Sequence, residues 1–435
     1  MNHIDSQKLR KVLPKKLLGL LMLVGKMARE RHCAAFVVGG FVRDIIIGVK
    51  NYDIDIVLEG NAIEFSRELA RKVKGSLVIH KKFGTATVVM PWGLSGREKF
   101  KVDLATARRE KYKRPAALPD VEFGSLKDDL YRRDFTINAM ALAIDGENFG
   151  RPIDFFNGQR HIRLGVISVL HKGSFIDDPT RIFRAVRFEQ RYGFRIDAPT
   201  EELIKTAIKK DMFGRTEKQR IRDELILMLK EEDPARAITR MHELDELRFI
   251  HPKIKLGRES GELFRAIDDV CRWYRRSPLK KRALDSWLIY LMAIFGDLNA
   301  ASVKSICEKF IFRRKDKIRI LSNKKDGDRA LRFLSRRGSL RPSMVYRKLR
   351  GLSYEVILLL MAKTKEGRLK KAMTDFLLKH DRVKISLSGI DMKRIGYSPG
   401  PGMGEALEKI LLAKIDGKIR TKREERDLAK RMLKS

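Results

Sequence analysis

Asp53 and Asp55 stand two residues apart in Asp53-Ile54-Asp55-Ile56-Val57-Leu58, where acidic and apolar residues alternate before the run turns wholly apolar. On a strand this spacing sends both carboxylates to one face and Ile54 and Ile56 to the other. Two carboxylates held side by side repel unless a hard cation sits between them. Mg²⁺ fits, because it takes oxygen ligands in octahedral geometry, often one or two carboxylates completed by substrate phosphates. Two such ions can activate an attacking hydroxyl and steady a leaving pyrophosphate. Alone, the pair also suits two solvated carboxylates on an exposed strand. The residues before it narrow the choice. Gly39-Gly40-Phe41-Val42-Arg43-Asp44 follows a short apolar run and precedes the acidic pair. The glycines let backbone approach a ligand without a Cβ in the way. N–H groups at a helix start favour phosphate, and Arg43 can fork onto phosphate oxygens. Asp103, in Lys101-Val102-Asp103-Leu104, is a candidate third carboxylate from a neighbouring strand, or a surface Asp.

The elements that must position these groups are legible in outline. Apolar residues from Leu17 to Val24 recur at helical spacing, within one or two helices over residues 1 to about 33. Ala35–Val38, Ile54–Leu58, Leu77–Ile79, Thr85–Met90 and Lys101–Ala105 read as strands, with a helix over Ala62–Lys74. This is a mixed α/β head. Thr106–Asp129, rich in Arg and Lys and carrying Pro115 and Pro119, reads as a loop. After Gly150 strand signals nearly vanish. Helical patterns over Pro179–Tyr192, Thr200–Lys209 and Glu217–Leu229 point to an all-helical remainder. Near the end, Ser388-Gly389-Ile390-Asp391 and Pro399-Gly400-Pro401-Gly402-Met403-Gly404 precede helices.

Composition sets the partner. Lys plus Arg number 94 against 56 Asp plus Glu, a net charge of +38, which predicts a polyanionic partner bound through phosphates over a broad footprint. A chain of 435 residues suits two to four domains. No apolar run reaches the ~20 residues of a membrane span, and Leu17–Val24 lacks a cleavage site, so neither membrane nor leader is expected. Cys33, Cys271 and Cys307 are scattered and odd in number, which suggests a reducing compartment, the cytoplasm, without disulfides or zinc.

Taken together, the motifs resemble a known family. Gly39–Asp44 with Asp53-Ile54-Asp55 is similar to the first motif of the class II tRNA nucleotidyltransferases and bacterial poly(A) polymerases, members of the polymerase-β-like nucleotidyltransferases. Arg132-Arg133-Asp134-Phe135-Thr136-Ile137-Asn138-Ala139 resembles the second. Asp177-Asp178-Pro179-Thr180-Arg181 resembles the nucleobase motif, usually Glu-Asp-x-x-Arg, with Asp177 in place of Glu. Arg220-Ile221 with Glu224-Leu225 resembles the last, helical motif. The order matches over residues 36–229.

The resemblance implies a fold and a set of roles. The head would be a mixed sheet with helices over 1–146, followed by helical neck 147–230, body 231–320 and tail 321–435. Asp53 and Asp55 would hold Mg²⁺, with Asp103 as a third catalytic carboxylate. Gly39, Gly40, Arg43, Asp44, Arg132 and Arg133 would serve the triphosphate. Asp134 and Asn138, on a helix expected over Ile137–Ala143, would hold ribose hydroxyls. Asp178 and Arg181, with Arg184 beside them, would read the base in place of a template. A carboxylate accepts the exocyclic amine that adenine and cytosine share. Asp178 before Pro179 also reads as a helix N-cap. The loop 106–129 would serve the switch from C to A addition, and the Gly-rich tail would meet tRNA. The function implied is addition of A, or CCA, to the tRNA 3′ end from ATP, with CTP as the second nucleotide. Poly(A) polymerase is the alternative enzyme, and a non-catalytic RNA-binding protein a third reading that the acidic pair disfavours.

Overall fold

The computed structural model describes residues 6–94, 99–117, 119–336 and 338–434. The expected helical start over residues 1–5 lies outside them. The chain divides into two compact units: one holds the residues up to Glu232 with Glu243–Phe249, the other Asp233–His242 and the residues from Ile250 on.

The first unit is built on a seven-stranded sheet. Its strands are β1 (Ala35–Val38), β2 (Ile54–Leu58), β3 (Ser76–His80), β4 (Thr85–Val89), β5 (Lys101–Thr106), then, after a separate hairpin of β6 (Arg108–Lys111) and β7 (Asp120–Phe123), β8 (Ala141–Ala143) and β9 (Pro152–Ile153). The order is β3-β4-β5-β2-β1-β8-β9. All neighbours run antiparallel except β2 and β5, which are parallel and set Asp55 opposite Asp103. Thr87 on β4 pairs with Asp103 from the other side. Alternation does the positioning: Ile54 and Ile56 are buried while Asp53, Asp55 and Asp103 face solvent.

Helix Lys15–Glu30 buries Leu17, Leu20, Leu21, Val24 and Met27, each worth about 1.5–3 kcal/mol. It packs so close that a Cβ at Gly25 would sit 1.7 Å from the Ile144 carbonyl oxygen. Helix Ala62–Lys72 covers β4 and β5. Asn61 caps it by accepting from the N–H groups of Ile63 and Glu64.

Three expectations are corrected. Ile137–Ala143 is not a helix: a 3₁₀ turn over Thr136–Asn138 leads into β8. The run is buried on every side, so its periodicity cannot separate a strand from a helix. Thr106–Asp129 is not wholly loop, since β6 and β7 form a hairpin and Leu126–Tyr131 a helix with a Ser125–Asp128 capping box. Charged short strands carry no apolar signal. The residues after Gly150 are largely but not wholly helical: β9 joins the main sheet, and β10 (Val166–Ile167) pairs in parallel with β11 (Arg195–Ile196).

The second unit is helical. Helices Ser286–Ile294 and Tyr354–Lys363 are buried nearly all round and pack with Arg258–Arg276. Its last part has a smaller core of Leu387, Met392, Met403, Ile410 and Ala429. There the buried Glu425 accepts from the N–H groups of Ser386 and Leu387 and from Lys414.

Candidate active site

A cavity of about 990 Å³ opens in the first unit. Its wall includes Asp53, Asp55 and Asp103 on β2 and β5, the Gly39-Gly40 turn after β1, Arg43, Arg132, Arg133, Asp134 and Asn138. It also includes Asp178, Arg181 and Arg184 at the start of helix Arg181–Tyr192. Of the site residues the sequence pointed to, only Asp44 stands outside the lining. It is buried and accepts from Arg43 Nε at 2.8 Å, Asn51 Nδ2 at 2.8 Å and the Tyr192 hydroxyl at 3.1 Å. Asp44 therefore fixes Arg43, and it fixes Asn51, whose Oδ1 accepts the Asp53 N–H at 2.9 Å.

Gly39 needs to be glycine. Its φ is +76°, and an added Cβ would lie 2.6 Å from Arg133 Nη1. Arg133 is thereby drawn against the turn, while its Nη2 donates to Asp129 at 3.0 Å. Its buried Nε has no partner among the described residues. Arg132 is committed elsewhere: it donates to Asp129 at 2.7 and 3.0 Å and to Glu110 at 3.2 Å. The guanidinium of Arg43 bonds Asn138 and lies 4.7 and 5.1 Å from the ring centroids of Tyr192 and Phe188.

Asp134 and Asn138 do meet, though not on a helix: Asn138 Nδ2 donates to Asp134 Oδ1 at 2.9 Å. Asp134 also takes the Phe135 N–H at 2.8 Å and Arg184 at 2.6 and 2.7 Å. Burial works to raise its pKa. Arg184 and Asn138 override burial and hold it down at about 2. Asp55 behaves oppositely. Its surroundings push it up to about 6, first because the walled cavity desolvates it, then through Asp53, Asp103 and Asp129, against the single opposing charge of Arg133. The side chain itself stays open to cavity water. A carboxylate group so crowded suits a cation. Among the described residues no three His, Cys, Asp or Glu are placed to hold a metal ion by themselves.

Asp178 is not the N-cap of a helix with Pro179 first. The helix begins at Arg181, and Asp178 ends the preceding turn Ser174–Asp177. Its Oδ1 accepts from the Thr180 N–H and hydroxyl at 3.1 and 2.6 Å, and its Oδ2 from Arg220 at 2.7 Å. Arg181 is buried and donates to Ser174 Oγ at 2.8 Å and the Arg132 carbonyl at 2.7 Å. Asp177, at the altered motif position, faces His171 4.0 Å away.

Sequence reasoning missed Asp129, fully buried between Arg132 and Arg133. Its i+3 and i+4 spacing to two arginines was the available signal. It also missed Tyr112, whose hydroxyl donates to Glu110 at 2.9 Å at the cavity wall.

A mixed sheet with registered carboxylates beside a Gly-Gly turn, sharing one cavity with an Asp–Arg pair, defines a nucleotidyltransferase head. Residues 35–168 match the model for the poly A polymerase head domain, and residues 193–256 that for the probable RNA and SrmB-binding site of polymerase A. The A-adding tRNA nucleotidyltransferase of Geobacter sulfurreducens is 37% identical over 427 residues, 97% of this chain and 48% of that protein. The chain thus spans about half the length of the A-adding curated relatives it matches. The Thermotoga maritima CCA-adding enzyme complexed with tRNA is 35% identical, with a TM-score of 0.79 over the whole of both chains. CCA-adding enzyme complexes with ATP and with CTP are 36% and 37% identical, with TM-scores of 0.82 and 0.81, again over the whole of both chains. The chain belongs to the family of tRNA nucleotidyltransferases and poly(A) polymerases. Membership implies use of a divalent metal. Among the described residues no helix is long and apolar enough to cross a membrane.

Proposed function

We propose that this chain adds nucleotides, A foremost, to the 3′ end of tRNA without a nucleic-acid template. The observation that carries this is a single cavity holding Asp53, Asp55 and Asp103 together with Asp178 and Arg181. One part suits phosphoryl transfer and the other suits recognition of a base edge. Asp53 and Asp55 are the residues to hold divalent cations, Mg²⁺ by their donor chemistry, with Asp103 beside Asp55. Such ions would activate the 3′ hydroxyl and neutralise the leaving pyrophosphate. Arg133, drawn against Gly39 and anchored by Asp129, meets the triphosphate. Arg132 and Asp44 act behind it, and Arg43 and Asn138 set the floor of the site. The 3′ oxygen bonds to the α-phosphorus, the bond to the β-phosphate bridging oxygen breaks, and the hydroxyl proton passes to water or a nearby carboxylate.

The base-reading role of Asp178 and Arg181 rests on a carboxylate that can accept an exocyclic amine and a guanidinium that can donate to a ring nitrogen or carbonyl. Residues 1–146 are assigned to catalysis and 147–230 to base reading. Residues 231–320 and 321–435 are assigned to RNA binding, supported by the charge of +38. Addition of A is favoured by the A-adding relative that matches nearly the whole chain. Complete CCA addition, with CTP as a second substrate, is the second reading and rests on the CTP complex of a CCA-adding enzyme. The three unpaired cysteines fit a reducing compartment, the cytoplasm. The test offers ATP with Mg²⁺ to a tRNA transcript lacking its terminal A and to an unstructured RNA. One adenylate gained by the tRNA alone supports the reading; long tails on either RNA would assign a poly(A) polymerase instead.

A further inference from the structure

The carboxylate of Asp178 meets the cavity already engaged. Oδ1 accepts from the N–H and hydroxyl of Thr180, in the same turn, at 3.1 and 2.6 Å. Oδ2 accepts from Arg220 Nη2 at 2.7 Å, from a helix, Lys218–Leu229, far along the chain. An ionised carboxylate offers about four acceptor sites, so three donors leave one, on Oδ2. The helix that carries Arg220 is tied to the helix that follows Asp178: Glu224, one turn beyond Arg220, lies 3.6 Å from both Arg184 and Arg187. Both Arg220 and Asp178 line the cavity and stay partly open to it, with 29% and 19% of their side chains exposed. A half-exposed ion pair adds little stability. Its geometric effect is larger, because it decides which oxygen and which lone pair an incoming base can find.

We propose that Arg220 is a positioning residue that sets nucleotide choice by holding Asp178 so that a single acceptor is presented to the base. This rests on the reading that Asp178 and Arg181 contact the base. One acceptor satisfies one exocyclic amine, the donor that adenine and cytosine share. Guanine carries two adjacent donors on its pairing edge, the ring N1–H and the N2 amine. With Thr180 still on Oδ1, loss of Arg220 leaves both acceptor sites of Oδ2 open to those two donors, and the Arg220 bond denies the second. Uracil has a single ring N–H flanked by carbonyls and gains much less from a freed carboxylate. Loss of Arg220 therefore relaxes discrimination mainly towards GTP.

The experiment measures kcat/KM for ATP, GTP and UTP on a tRNA transcript lacking its terminal A. The proteins are wild type, Arg220→Gln, Arg220→Lys, Asp178→Ala, and Arg220→Gln combined with Asp178→Ala. Thermal melts check folding. Arg220→Gln should lower the ATP-to-GTP ratio by about five- to a hundredfold, the range of one base-edge hydrogen-bond contact, and move the ATP-to-UTP ratio less. Arg220→Lys, which keeps the charge but not the fork, should fall between, and it carries the test if Arg220→Gln does not fold. In the Asp178→Ala background, adding Arg220→Gln should change the ratio by less than about twofold, because the two residues act as one unit. An unchanged ratio in both Arg220 variants while Asp178→Ala shifts it overturns the proposal. So does an Arg220 effect that persists in full without Asp178, which would make Arg220 a base contact in its own right. If Asp178→Ala leaves the ratio at its wild-type value, the base-contact reading beneath the proposal fails, and the proposal with it.

Discussion

Replacing Asp55 by Asn should stabilise the free protein while abolishing its chemistry. The folded protein raises this carboxyl from its usual 3.8 to about 6, through desolvation and three neighbouring carboxylates. The folded state therefore holds the proton longer than the unfolded chain does. Between pH 4 and 6 the native state binds more protons, so stability falls as pH rises through that window and levels off above it. In a dry site the cost would be about 3 kcal/mol. Asp55 is open to cavity water, which screens the repulsion, so a cost of about 1 kcal/mol is expected. Asn keeps the shape and removes the charge. Its Tm should exceed that of wild type by about 2–4 °C at pH 7.5, with the gap closing near pH 4. Saturating Mg²⁺ should raise the wild-type Tm and leave the variant almost unmoved. Incorporation should drop by about a thousandfold or more, several kcal/mol of transition-state stabilisation. Thermal melts across pH 4–8 with and without Mg²⁺, paired with single-turnover incorporation, read all of this. A variant less stable than wild type at pH 7.5, or active within tenfold of it, would refute the reasoning.

Asp134→Ala leaves the Arg184 guanidinium without its buried partner and should cost about 3 kcal/mol in chemical denaturation. Because the Asp134 pKa is depressed to about 2, its stabilisation is full above pH 4 and lost as pH falls towards 2, so the variant's deficit should shrink in acid. Gly39→Ala places a methyl group 2.6 Å from Arg133 Nη1 at a φ of +76°. It should cost about 1–3 kcal/mol of strain and weaken ATP binding more than RNA binding, read by titrating each ligand separately. With a net charge of +38, tRNA affinity should fall steeply with salt, with a log–log slope corresponding to about five or more phosphate contacts; a flat response would argue against the RNA-binding role.

Much of the site was legible because its chemistry needs residue types at fixed spacings. The Asp53–Asp55 alternation gave both the strand and the shared face. The Gly39-Gly40 pair gave the turn, where glycine accepts the φ of Gly39 and leaves room for Arg133. What stayed hidden depends on contacts distant in sequence. The i+3 and i+4 spacing of Asp129 to Arg132 and Arg133 was a local signal, but nothing local says that the group is sealed from solvent or that Glu110 reaches Arg132 from a hairpin. Alternation around Asp103 offers a third carboxylate from a neighbouring strand, but the parallel register that sets it opposite Asp55 is a property of the sheet. Residues 137–143 were misjudged because a buried segment is apolar on all sides and loses the period that distinguishes strand from helix. The helix expected to start directly after Asp178 begins at Arg181 instead, and the Asp178 oxygens accept from Thr180 and from Arg220, the latter distant in sequence.

The central claim is that one cavity joins phosphoryl transfer to base choice without a template. The measurement that tests it most directly sequences the 3′ ends of tRNA transcripts that stop before the first C, after the first C or after the second. Each is incubated with ATP alone, CTP alone, or all four nucleotides. A single A is expected on transcripts ending in CC, with G and U rejected even from the full mixture, and all addition lost in Asp53→Ala. Addition of whichever nucleotide is supplied, or no addition to any transcript by a folded, Mg²⁺-supplied protein, would contradict the claim.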